Sequence, residues 1–361
     1  MFVAALTGCE QKILFDDDKN EHIYQLPENG YIFFNPALST NTDTRGTLVT
    51  DMKRSFGVMG YHWENIDQND VWSTMEPKAK PDVFYNQKIV FDENLNLHTY
   101  TPEKEWNAGY LYSFFAYYPY NDNNSITISS NNNEGTPYLT YKLPTDPVNM
   151  VDIMTAAVYN TDYKNNSGYV NFHFKHRLSA IDLQMLNLND EFDPDANSNT
   201  DNSTPVRIEV YDMKIVFTNL RYNKVTLSMN EAITDNATAE GSVVQNYTLF
   251  SNPLILEPIQ TGATSENITY TTSGNPLIII PQKKDDGATE EIYRDYLKGK
   301  LQFSIKYYDK NDNDITNQIT HEGNNRTIDF NIGRDVLAGR RYTLQLTFTL
   351  NATTIEIVRS G

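Results

Sequence analysis

Only one cysteine, Cys9, occurs in the 361 residues. No intramolecular disulfide can form, so stability must come from packing. Positive charge is scarce: 29 Lys and Arg stand against 47 Asp and Glu, a formal net charge of −18. Such a chain lacks the basic patch that neutralises phosphate, which excludes nucleic acid as a main partner. It also argues against adsorption to anionic lipid headgroups. After Cys9 no apolar run approaches the ~18 residues of a membrane-spanning helix. Helical periodicity is nearly absent, and there is no fixed-period repeat. Charged residues make up only 21% of the chain. Asn, Thr, Ser and Tyr do much of the polar work instead, a β-rich composition.

What is present reads as strand, turn, strand. Tyr31-Ile32-Phe33-Phe34 is a short apolar run ended by Asn35-Pro36, Ser55–Tyr61 reads as another strand, and Leu111–Tyr118 is aromatic-rich and stopped by Pro119. Strict alternation follows: Val170, Phe172 and Phe174 point one way, and Asn171, His173 and Lys175 the other. Ile208, Val210, Met213, Ile215 and Phe217 continue it, as do Leu301–Tyr307 and Tyr342–Leu350. Period two with one apolar face predicts half-buried antiparallel strands packed sheet on sheet. One short helix is expected over Glu291–Leu297, where Ile292, Tyr293, Tyr296 and Leu297 share a side. Clusters such as Asn121–Asn124, Asn131–Gly135 and Asp309–Asn313 are loop tips. Asp193–Thr204 is the longest polar stretch, a linker or a long hairpin loop. At about 150 residues per domain, the length predicts two domains.

The search for chemistry is mostly negative. His173 and His176 spell His-x-x-His, but positions three apart on a strand face opposite sides and cannot chelate together. Asp309-x-Asn311-x-Asn313 begins like a calcium loop, yet Asp314 replaces the glycine at loop position six and Thr320 the bidentate glutamate at twelve. No zinc, phosphate-loop, dinucleotide or nucleophile-elbow pattern occurs. No cofactor is therefore expected and no catalytic residue is assigned. Trp63, Trp72 and Trp106 could supply a sugar-stacking face or could simply pack between strands.

Near the start, Leu6-Thr7-Gly8-Cys9 resembles the bacterial lipobox, which makes the cysteine a lipidated new N-terminus. Only Met1–Leu6 precede it and no Lys or Arg does, so the signal is read as truncated. A single acyl chain anchors marginally, so stable attachment needs more than one. Asp16-Asp17-Asp18 lies in what reads as a solvated, acidic tether.

Several segments occur in an order that resembles the fimbrillin-like proteins of Bacteroidetes, the subunits of type V pili. They are Tyr112–Pro119, Asp152–Ala156, Val170–Ile181, Leu277–Gln282 and Gly339–Tyr342. The resemblance implies an all-β fold of two tandem transthyretin-like antiparallel β-sandwich domains. On it, residues 1–9 are the truncated signal, 10–29 the tether, 30–167 the first sandwich and 168–361 the second. It also implies a structural or adhesive subunit of a surface pilus, not an enzyme, held in the outer membrane by lipid on Cys9. Polymerising members are cut after an arginine, and Arg45-Gly46 occupies that place. The cut would free Tyr31, Ile32, Phe33 and Phe34 as a displaced strand. A strand from another subunit would then fill the groove, and the short terminal strand carrying Ile355 and Ile357 is the candidate donor. A host protein or glycan is a possible further partner. The alternative is a non-polymerising, glycan-binding surface lipoprotein that uses the tryptophans.

Overall fold

The computed structural model of the chain describes residues 30–38, 52–64, 71–120, 125–187, 207–230, 238–240, 243–256, 270–271, 276–284, 287, 294–309, 311–319, 325–348 and 353–360. Strands are numbered in chain order. The alternation seen in the sequence is spent on a seven-stranded sheet. Its spatial order is β1 (Phe33–Leu38), β9 (Tyr169–His176), β8 (Met154–Thr161), β5 (Tyr110–Tyr118), β2 (Phe56–Glu64), β3 (Phe84–Asp92) and β4 (Leu97–Thr99). In β5, Tyr112, Phe114, Ala116 and Tyr118 bury on one face, while Phe115 and Tyr117 bury on the other. A strand covered on both faces reads as a continuous apolar run, which is why Leu111–Tyr118 shows no alternation.

One face closes over a core built largely of rings, including Phe34, Phe56, Phe84, Phe114, Phe172 and Phe174. The other lies under a four-stranded sheet ordered β13 (Thr238–Glu240), β12 (Lys224–Ser228), β7 (Tyr138–Lys142) and β6 (Ile126–Ile128). Thr226 of β12 is paired with Thr140 of β7, and their side-chain oxygens lie 3.0 Å apart. The two halves of the sequence therefore share this sheet.

The remaining strands form a second pair of sheets. One is ordered β16 (Tyr270–Thr271), β10 (Ser179–Asn187), β20 (Arg341–Phe348) and β21 (Thr353–Ser360), with β17 (Leu277–Ile279) also on β10. Its partner is ordered β14 (Val243–Phe250), β11 (Arg207–Leu220), β18 (Lys298–Tyr308) and β19 (Asn325–Asn331), with β15 (Leu254–Leu256) on β11. This core is mostly aliphatic: Leu183, Met185, Ile208, Val210, Ile215, Leu301, Ile305, Leu344 and Leu346 are all buried.

The fold is thus all-β and packed sheet on sheet. Most pairs are antiparallel, but β1 runs parallel to β9 and β10 parallel to β20. The expected division at 167/168 does not coincide with a change of sheet. Strand β9 bonds to β8 and β1, so the chain leaves the first sheet only after His176. Arg177 occupies that passage, 5% exposed, and donates from Nη1 to Thr155 Oγ1 at 2.9 Å and to the Asn230 carbonyl at 3.3 Å. It ties the passage to the end of β12.

Two local expectations change. Strand β1 does not stop at Asn35-Pro36 but runs on to Leu38, because proline's missing N–H is tolerated on an edge strand. In the expected 291–297 helix, the described residues Arg294–Leu297 hold no α-helix, and Lys298 opens β18. Leu297 is buried in the core, and residues 291–293 lie outside the described residues. The α-helices among the described residues are single turns: α1 (Trp72–Met75), α2 (Tyr163–Asn166) and α3 (Thr316–Ile319). Asp193–Thr204 lies outside the described residues.

Candidate functional site

Cys9, Arg45 and Gly46 lie outside the described residues. The candidate displaced strand lies within them. Tyr31 makes an antiparallel bridge with Glu105, and Phe33 and Phe34 open β1 at the edge of the seven-stranded sheet. Alternation sends Ile32 and Phe34 inward, 0% and 3% exposed. Tyr31 and Phe33 stay half-buried outside, with the Phe33 ring 5.8 Å from Tyr169.

Phe34 occupies a socket made by strands that are far apart in sequence. Its ring stacks on Phe172 at 5.7 Å and meets Phe84 and Phe114 edge-on at 5.6 and 5.9 Å. Tyr100 lies at 5.6 Å and Phe56 at 6.4 Å. Burying two such side chains stabilises by about 1.5–3 kcal/mol each, and ring pairs add about 0.5–1.5 kcal/mol each. Phe34 of a six-residue edge strand, with Ile32 just before it, therefore fills the centre of the first core.

The backbone around Ile32 is held from both sides. Trp106 N–H donates to the Gly30 carbonyl at 2.9 Å, and Ile32 N–H donates to Lys104 O at 2.8 Å. The Tyr100 hydroxyl donates to the Ile32 carbonyl at 2.8 Å. Burial pushes the Tyr100 hydroxyl well above its ordinary pKa, so it is a neutral donor at physiological pH. Phe33 N–H and the Trp106 indole N–H both donate to Gly168 O, each at 3.1 Å.

Met52 is the first described residue after the 39–51 gap, and it lies in the same core. Its carbonyl is 2.8 Å from His98 Nε2. Burial lowers the pKa of His98, outweighing the upward pull of the Met52 hydrogen bond. The neutral ring then donates to that carbonyl.

The candidate donor, β21, is also an edge strand. It pairs antiparallel with β20, placing Ile355 opposite Leu346 and Ile357 opposite Leu344. Tyr342–Phe348 is an interior strand of that sheet, between β10 and β21.

The other candidates resolve into packing. Trp63 and Trp72 are 7% and 6% exposed. Trp106 packs edge-on against Tyr112 and Phe114 at 4.8 and 5.8 Å, with its indole N–H committed to Gly168. Trp63 and Trp72 are buried and Trp106 half-buried in packing contacts, so the three tryptophans form no common stacking face. His173 is exposed, whereas His176 turns inward and pairs through Nδ1 with Asp152 at 2.7 Å. The Asp309 carboxylate accepts from Asn311 N–H and Asn313 N–H, both at 2.8 Å, and from Asn313 Nδ2 at 2.9 Å. It braces its own turn.

Sequence reasoning missed the socket and the bonds around Ile32. Alternation placed Phe172 on an inward face, whereas Phe114 lies in an apolar run without alternation. No local signal brings Tyr100, Lys104 and Trp106 beside Gly30–Ile32.

The fimbrillin-like family model matches residues 47–359, and this chain belongs to that family. Membership makes it a pilus or adhesion subunit of the cell surface. No curated protein matches it. Among solved structures, a fimbrial protein from Bacteroides vulgatus is 22% identical at a TM-score of 0.59, covering 92% of this chain and 99% of the other. A protein assigned to cell adhesion from Bacteroides uniformis is 14% identical at a TM-score of 0.49, covering 92% and 99%. A fimbrial assembly protein from Parabacteroides distasonis is 8% identical at a TM-score of 0.36, covering 91% and 98%. The first shares the fold.

Proposed function

We propose that this chain is a structural or adhesive subunit of a surface pilus that assembles by strand exchange. It is exported as a lipoprotein on Cys9, held in the outer membrane, and cut after Arg45. β1 then leaves the first sandwich, and an edge strand of another subunit takes its place, for which β21 with Ile355 and Ile357 is the candidate. The observation that carries this reading is an edge strand whose Phe34, with Ile32 just before it, fills the core. Removing such a strand leaves an open backbone edge beside an apolar groove, the two features that β-augmentation requires. The cut would sever it from Met52 without touching any described strand. The role is structural rather than catalytic, and other subunits are the principal partners.

The test is treatment of the full chain with an arginine-specific protease. The expected result is a new N-terminus at Gly46, loss of the fragment bearing β1, and polymers that grow with concentration. A chain cut elsewhere first, or one that is cut after Arg45 and stays monomeric after the fragment has gone, overturns the polymerising reading.

A further inference from the structure

Strand β1 is not held evenly along its length. Gly30–Ile32 is bonded to Lys104–Trp106 on one side, and the adjoining Phe33 N–H bonds to Gly168 on the other. The Tyr100 hydroxyl closes on Ile32 O and also accepts from Lys104 N–H at 3.2 Å, so one side chain staples the two segments. The Trp106 indole shares the Gly168 carbonyl with Phe33 N–H, linking this clasp to the start of β9.

From Phe34 to Leu38 the pattern is different. Among the described residues, the backbone there pairs with β9 alone. Asn35 Nδ2 donates to Asn171 Oδ1 at 2.9 Å, again on β9, and Asn35–Leu38 are only half-buried. Local opening is least costly where buried contacts and backbone bonds are few. Phe34 stands between the two ends with its cage of rings.

We infer that β1 detaches from its Leu38 end and that Tyr100–Trp106 forms a clasp that releases it last. This rests on the reading of β1 as the exchangeable strand. It adds a direction and a gate. An incoming extended segment must enter beside Phe174 and Phe172, which face Leu38 and Pro36, carrying apolar residues at alternate positions. It displaces Phe34 next and meets the clasp at the end. Cutting the chain therefore yields a two-piece complex that persists until a competing strand arrives.

The test does not depend on Arg45. A recognition sequence for a site-specific protease is placed between Leu38 and Met52, the full chain is cut, and a labelled synthetic peptide of residues 30–38 is added as competitor. Hydrogen exchange of the cut complex should show the amides of 35 and 37, on the β9 side, opening before those of 32 and 33. Tyr100→Phe keeps the ring contacts with Phe34 and Phe84 and removes only the hydroxyl. It should speed release of the N-terminal fragment about three- to tenfold, the effect of one hydrogen bond. Uniform exchange, opening from residue 31, or an unchanged release rate in Tyr100→Phe overturns the clasp while leaving β1 exchangeable. A fragment that never exchanges with the competitor overturns the exchangeable strand itself, and the clasp with it.

Discussion

The two cores solve the same problem with different materials. The first packs rings against rings and is completed by β1, a short parallel edge strand whose Phe34 touches several other strands. The second packs aliphatic side chains and ends in β21, a longer antiparallel edge strand. In the first, the burial of Phe34 adds to a parallel ladder of six paired positions. In the second, the antiparallel ladder runs through eight paired positions. An edge held by one large buried ring is tight while in place, yet it leaves a defined hole when it goes.

Breaking the comparison begins at Phe34. Phe34→Ala should cost about 3–5 kcal/mol, read by denaturant unfolding. Protection of β1 amides should fall while the β20–β21 ladder stays protected. Equal loss in both sandwiches would mean that the two edges are not independent. Gly299 probes the second core. A Cβ built there would lie 2.5 Å from the Phe330 ring and 2.6 Å from the Val216 carbonyl. Gly299→Ala should therefore cost about 1–3 kcal/mol by overpacking and leave β1 exchange unchanged. Faster β1 exchange in that variant would show that strain crosses between the cores.

The smallest effect expected is a pH dependence confined to the first core. His98 has a depressed folded pKa because burial penalises its charged form. Below its ordinary value of 6.5 the unfolded chain binds a proton that the folded chain refuses. Its contribution is fully present above that pH and is lost as pH falls toward the lowered folded pKa. Compared at about pH 7.5 and about pH 5.5, the thermal midpoint should fall further in the wild type than in His98→Gln. Identical slopes would show that His98 does not carry the acid sensitivity.

Much of this architecture was legible in the residues. Val170, Phe172 and Phe174 declared their buried face through spacing alone, and so did Leu301–Tyr307 and Tyr342–Phe348, because a pleated strand alternates its side chains. The apolar run Tyr31–Phe34 was visible as a strand. That its phenylalanine is a keystone was not, since the socket is assembled from β2, β3, β5 and β9. The tryptophans mislead for a related reason: a large aromatic reads alike as a binding platform or as packing until its neighbours are known.

By itself the sequence determined the secondary-structure class, the acidic surface and which face of most strands turns inward. These follow from composition and period, which act over a few residues. Only the tertiary structure decided which strands are neighbours: β1 parallel to β9, β7 against β12 across the two halves, and Tyr100–Trp106 against Gly30–Ile32. Alternation specifies a face but not a partner or a register. Pairing over such separations is settled by the packing of the whole core.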